Sequence, residues 1–99
     1  MEEEISLNSD DALDYIKNNV NTYDTIELSF NRIYLPGEVL DIEIDGEKEI
    51  ESLRLMMQLN GELVNDTIQV DLVRIKDDIL EIRHIQEEKS TTITVEAQE

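Results

Sequence analysis

Residues 38–60 read EVLDIEIDGEKEIESLRLMMQLN, and the way this stretch divides decides the fold. Leu40, Ile42 and Ile44 alternate with Asp41, Glu43 and Asp45, the period of a strand with one apolar and one polar face. Gly46 ends the run. From Glu47 onward the apolar residues spread out: Ile50, Leu53 and Met57, with Met56 beside them, recur at helical spacing. Glu47, Glu49 and Glu51 suit a helix start, Asp45 or Gly46 can cap it, and Asn60-Gly61 is a stop signal. The spacing therefore predicts a strand ending at Asp45 and a helix over 47–60.

Working outward towards the N-terminus, Pro36-Gly37 is a turn signal. Before it, Ile26, Leu28 and Phe30 alternate with Glu27 and Ser29 as a strand. The apolar parity then slips to Ile33 and Leu35, which predicts a bulge or bend near Asn31–Arg32. Leu13, Ile16 and Val20 mark a first helix, capped by Asn8 or Ser9 with Asp10 and Asp11 in its first turn. Residues 1–6 read as a solvated acidic lead-in, flexible like 98–99.

Towards the C-terminus, 67–76 and 79–86 read as strands flanking Asp77-Asp78. A hairpin in that register sets Arg74 opposite Glu81, Asp71 opposite His84, Val73 opposite Ile82 and Ile75 opposite Leu80, with Val70 and Ile85 meeting on the other face. Ile93, Val95 and Ala97 phase a last strand. The expected order is αββαβββ, a single α+β domain over 1–99 with two helices packed on a mainly antiparallel sheet. Because 67–86 is apolar on two faces and two helices cover only one, the pattern favours a homodimer in which a second copy covers the other.

The composition narrows function. Among 99 residues, 25 acids face eight bases, a formal net charge of −17. Solubility of a small domain needs a magnitude of only about 2–8, and self-repulsion at this charge destabilises a compact state. A requirement for the field itself is the simplest reason to keep it. Adaptation to high salt also selects acidic surfaces, but the Ile-rich, Ala-poor composition argues against it. Nucleic acid and anionic membranes repel such a chain as direct ligands. No apolar run approaches the roughly 18 residues of a membrane span, and the Met-Glu-Glu-Glu start is the reverse of a signal peptide. With no cysteine there is no thiolate metal site, disulfide or thiol nucleophile. A cytoplasmic protein that is not an enzyme and needs no cofactor is the expectation.

The candidate site is the acidic run Glu38, Asp41, Glu43, Asp45, Glu47, Glu49 and Glu51, interrupted by one base, Lys48. On a strand, Asp41, Glu43 and Asp45 share the outward face about 6.7 Å apart, a spacing comparable with successive phosphates along DNA. Asp41-Ile-Glu43-Ile-Asp45-Gly46 also imitates the opening of a calcium loop. Ser52 stands where its bidentate Glu belongs and Lys48 where an apolar residue belongs, which argues against calcium. His84, the sole histidine, with Asp71 across the hairpin has the form of a base and its orienter; a salt-bridged or exposed strand histidine is the favoured reading. Acid pairs such as Asp77-Asp78 and Glu87-Glu88 carry little information in so acidic a chain. Arg32, Arg74 and Arg83 are expected to pair with neighbouring acids.

In size and charge the chain resembles the small phage-encoded DNA-mimic proteins, and within that group the inhibitors of HU-type nucleoid proteins. The resemblance covers overall character and no motif, so no residue roles transfer. It implies a non-enzymatic, often dimeric inhibitor whose carboxylates stand in for phosphates and block the basic surface of a DNA-binding partner. An immunity or antitoxin protein that blocks a basic nuclease, and a divalent-cation-binding domain, are the alternatives.

Overall fold

A computed structural model describes residues 2–59 and 66–96. The elements are β1 (Glu2–Asn8), α1 (Ser9–Asn19), β2 (Thr25–Phe30), β3 (Ile33–Asp45), β4 (Ser52–Leu59), β5 (Thr67–Asp71), α2 (Leu72–Ile75), β6 (Ile79–Ile85) and β7 (Ser90–Glu96). One seven-stranded mixed sheet runs in the order β1-β7-β6-β2-β3-β4-β5. Every pairing is antiparallel except β1 with β7. The chain is therefore mostly β, and the expected αββαβββ order with two helices on the sheet is overturned at three places.

The first is the segment read as a helix over 47–60. It forms β4, in which Leu53, Leu55 and Met57 are fully buried while Arg54, Met56 and Gln58 face out. Positions four apart share a face in a strand as well as in a helix, so Leu53 and Met57 fitted both readings. Leu55, between them and equally buried, fits only the strand. The expected stop at Asn60-Gly61 lies outside the described residues.

The second is Pro36-Gly37, which makes no turn. β3 runs straight through it for 13 residues. Its first part pairs with β2 and its last part with β4, so β3 joins the two halves of the sheet. The turn is instead Asn31–Arg32, both at positive φ (46° and 67°), the backbone of a tight two-residue hairpin. Phe30 pairs with Ile33 across it; this pairing is what shifts the apolar parity. Counting from that closing pair, Pro36 falls at a non-hydrogen-bonded position opposite Glu27, where its missing N–H costs the β2 ladder nothing. Gly37 is required by its other neighbour: a Cβ there would stand 2.5 Å from the backbone oxygen of Gln58 in β4. A bulge at Leu40 then bends β3.

The third is 67–86. β5 pairs with β4, whereas β6 inserts between β2 and β7, so the expected hairpin and its cross-strand pairs do not form. One helical turn, α2, intervenes. Asp71 Oδ1 accepts the Val73 N–H at 3.1 Å as its N-cap, and Leu72 is fully buried. The apolar second face that pointed to a second copy is absent with the hairpin. Val70 shares the inner face with Leu55, and outward positions carry mainly polar residues such as Glu81, Arg83, Thr92 and Thr94.

The lead-in 1–6 is also corrected, since Glu2 onward forms β1. Ile5 and Leu7 are its half-buried positions, beside Ile93 and Val95 of β7. α1 forms where Leu13, Ile16 and Val20 place it. Asn8 accepts the Asp11 N–H at 2.8 Å, Asp10 and Asp11 occupy the first turn and Lys17 the last. Ala12, Leu13 and Ile16 join Ile26, Leu28, Val39, Leu53, Leu55, Met57, Ile82 and Ile93 in an almost wholly aliphatic core.

Candidate protein-binding surface

β3 carries the acidic row. Its inward residues after the bulge are Ile42 and Ile44, so Asp41, Glu43 and Asp45 alternate outward. The Leu40 bulge puts Glu38 on the same outer side: without the extra residue, Glu38 and Asp41 would differ in parity. Beyond Asp45 the chain forms a closed connection rather than a helix. Gly46, at φ +118°, starts it, and the Glu51 N–H donates to the Asp45 carbonyl at 2.8 Å. A Cβ at position 46 would lie 1.9 Å from the Glu49 carbonyl oxygen. This connection holds Glu47, Glu49 and Glu51. All seven acids of the run are exposed and form a ridge, four of them on β3, where Glu38 is paired with both β2 and β4 and Asp41, Glu43 and Asp45 with β4.

β4 adds a residue that the helical reading hid. Arg54 stands opposite Glu43 and bridges Glu43 at 3.2 Å and Asp45 at 3.1 Å. Each exposed pair is worth at most about 1 kcal/mol. The guanidinium holds the two carboxylates in place while cancelling one charge. Asp41 faces Met56 instead, which is 37% exposed. The ridge thus offers a carboxylate beside a partly exposed apolar side chain at one end and an Arg-organised pair at the other.

Elsewhere on the outer face, Tyr34 Oη donates to Glu27 Oε1 at 2.7 Å. That bond to a carboxylate raises the pKa of the Tyr34 hydroxyl. Arg83 lies 3.9 Å from Glu27, so it pairs with a neighbouring acid as expected. Arg32 and Arg74 make no ion pair among the described residues.

His84 is neither exposed nor opposite Asp71. It is 2% exposed; its Nε2 lies 2.8 Å from Asp24 Oδ2 and its Nδ1 2.8 Å from Tyr15 Oη. With the proton on Nε2, the ring donates to Asp24 and accepts from Tyr15. The Asn21 N–H (3.0 Å) and Gln86 Nε2 (3.3 Å) donate to the same Asp24 oxygen. Burial by itself raises the Asp24 pKa; the hydrogen bonds from His84, Asn21 and Gln86, with attraction to the His84 ring when it is protonated, outweigh it and leave the carboxyl below its ordinary value. The network ties α1 and the segment before β2 to β6. A depressed folded pKa contributes stability above the unfolded value, lost as pH falls through the folded one. Below about pH 4 the wild-type chain should therefore lose stability relative to Asp24→Asn. Urea midpoints of the two chains between pH 6 and pH 3 test this; parallel curves would remove Asp24 from the acid response.

Among the described residues no three acidic or histidine side chains converge to hold a metal ion. Asp41, Glu43 and Asp45 are spread along a strand, as a calcium loop would not spread them. No described helix is long and apolar enough to cross a membrane.

The chain belongs to a family described as uncharacterized proteins conserved in archaea (DUF2097), whose model matches residues 3–94. That finding overturns the resemblance to phage-encoded DNA-mimic inhibitors of HU-type proteins. The resemblance rested on size and acidity, two bulk properties that unrelated families share. No curated protein and no solved structure matches the chain.

Proposed function

We propose that this protein is a non-enzymatic binding module of the cytoplasm, whose acidic ridge docks onto the basic, nucleic-acid-binding surface of a protein partner and competes there with nucleic acid. The observation that carries the reading is the ridge itself, with Glu38, Asp41, Glu43, Asp45, Glu47, Glu49 and Glu51 exposed together on a paired strand and a closed connection. The net charge of −17 supplies the long-range part. It steers a basic partner and raises the association rate, while local carboxylates pair with its Lys and Arg side chains. The strand scaffold holds the carboxylates before binding, which reduces the ordering entropy that association must overcome.

The test is competition. A basic protein retained by the immobilised chain from an archaeal lysate is purified and loaded with fluorescent duplex DNA. Added chain should displace the DNA, with an apparent affinity that weakens as salt rises from about 50 to 200 mM. A ternary complex with DNA still bound, or direct binding of the chain to duplex DNA at moderate salt, would sink the reading.

A further inference from the structure

Three of the four lysines of this very acidic chain, Lys17, Lys48 and Lys76, line one groove. α1 contributes one wall, through Asp10, Leu13, Asp14 and Lys17, a stripe at helical spacing. The β3–β4 connection contributes Lys48, Glu49 and Ile50, and the residue after α2 contributes Lys76. Buried Leu13 and half-buried Ile50 supply apolar lining. The groove encloses about 300 Å³, the lower end of the range of ligand pockets, about 300–1,000 Å³.

The charges in this groove are unequally committed. Lys76 Nζ bonds Asp10 Oδ1 at 3.0 Å. Asp10 and, more weakly, Asp77 and Glu49 favour its charged form. One of the three carboxylates in the lining is thereby taken up by an ion pair. Lys17 and Lys48 have no carboxylate at salt-bridge distance among the described residues, and the other two lining acids, Asp14 and Glu49, are paired with neither. The distant acids count for less here, because their field decays over a Debye length of about 8 Å in physiological salt. Lys48 is also held in place by the closed connection that starts at Gly46.

From this convergence we infer that the groove between α1, the β3–β4 connection and the end of α2 binds a small, multiply charged phosphate ligand, gripped by Lys17 and Lys48 with Lys76 behind them. Lysine suits the role as a compact cation with three donors that meets phosphate as a point charge. The inference does not rest on the acidic ridge binding a partner.

The probe is sodium pyrophosphate, titrated at constant ionic strength into the isotopically labelled full chain and followed by amide and lysine side-chain resonances. Saturable shifts at Lys17, Lys48 and Ile50, with a dissociation constant below about 1 mM, are expected. Lys17→Gln with Lys48→Gln should weaken the constant at least tenfold, while Lys89→Gln, a lysine paired with Glu3 outside the groove, should leave it unchanged. An orthophosphate arm distinguishes a free-phosphate site, which binds it as tightly, from one that requires linked phosphates. Shifts that stay linear to about 20 mM, equal effects at Lys89, or an unchanged constant in the double variant would each overturn the inference. Both substituted lysines are exposed, and a thermal midpoint of the double variant checks that it folds.

Discussion

A chain carrying Asp41→Lys, Glu43→Lys and Asp45→Lys should lose its basic partner by at least about 100-fold, because attraction at the centre of the ridge turns into repulsion. Like charges set against each other across an interface cost several kcal/mol, and each 1.4 kcal/mol is a factor of about ten. The fold should survive. The three positions are exposed, and their inward neighbours Ile42 and Ile44 are untouched. Arg54 loses its contacts with Glu43 and Asp45, about 1 kcal/mol each at most. Changing three charges by two units each takes the net charge from −17 to −11, which relieves self-repulsion. A control triple at Asp78, Glu87 and Glu96, all exposed, makes the same change away from the ridge. Titration calorimetry with the purified partner decides between them. Equal losses would mean that net charge alone matters; a loss in the control alone would move the interface to another face.

Gly37→Ala should cost about 3 kcal/mol of stability and lower the thermal midpoint by more than about 10 °C. The new methyl group would meet the Gln58 carbonyl oxygen at 2.5 Å, with the Gln58 carbonyl carbon at 3.1 Å and the Leu59 Cα at 3.3 Å behind it. These are backbone atoms of a paired strand, so no flexible side chain can swing away. Relief requires β3 and β4 to separate at the point where β3 passes from one half of the sheet to the other. Circular dichroism melts of both chains check it. A shift under about 3 °C would show that the two backbones lie farther apart than described.

The readable parts of this fold are those where one periodicity had no competitor. β2 and the acidic part of β3 alternate strictly, and α1 joins a cap, an acidic first turn and a helical stripe. The outward row Asp41, Glu43 and Asp45 follows from alternation alone, which is why the ridge was legible before the topology was. β4 was not, because Leu53 and Met57 satisfy both periods and the acids before them imitate a helix start. The Pro36-Gly37 signal misled for a different reason. Its proline sits where the β2 ladder needs no donor and its glycine where two backbones nearly touch, and both conditions are tertiary. β1 was masked by three glutamates on a strand with a single neighbour in the sheet. At 72–75, apolar β-branched residues suggested a strand, and the Asp71 cap with Leu72 burial made a helical turn instead. The His84 network was beyond reach, since Tyr15 and Asp24 lie 69 and 60 positions away. Arg54 would have been found had β4 been read as a strand, because it then falls opposite Glu43.

The parallel pairing of β1 with β7 places Glu2 beside Ser90 and Asn8 beside Glu96, and this fixes an order of assembly during translation. β1 leaves the ribosome well ahead of its partner, since Glu2 and Ser90 are 88 positions apart. At about 5–20 residues per second the wait is on the order of 4–18 s. Loop closure makes this the entropically costliest pairing in the sheet, and α1, β2, β3 and β4 are all available to associate before it. During the wait β1 has a free hydrogen-bonding edge on each side, a template for pairing with another nascent chain. Glu2, Glu3 and Glu4 make that error unfavourable, because two such edges repel each other. The acids that carry a field in the finished protein thus act earlier as gatekeepers, keeping β1 single until β7 arrives.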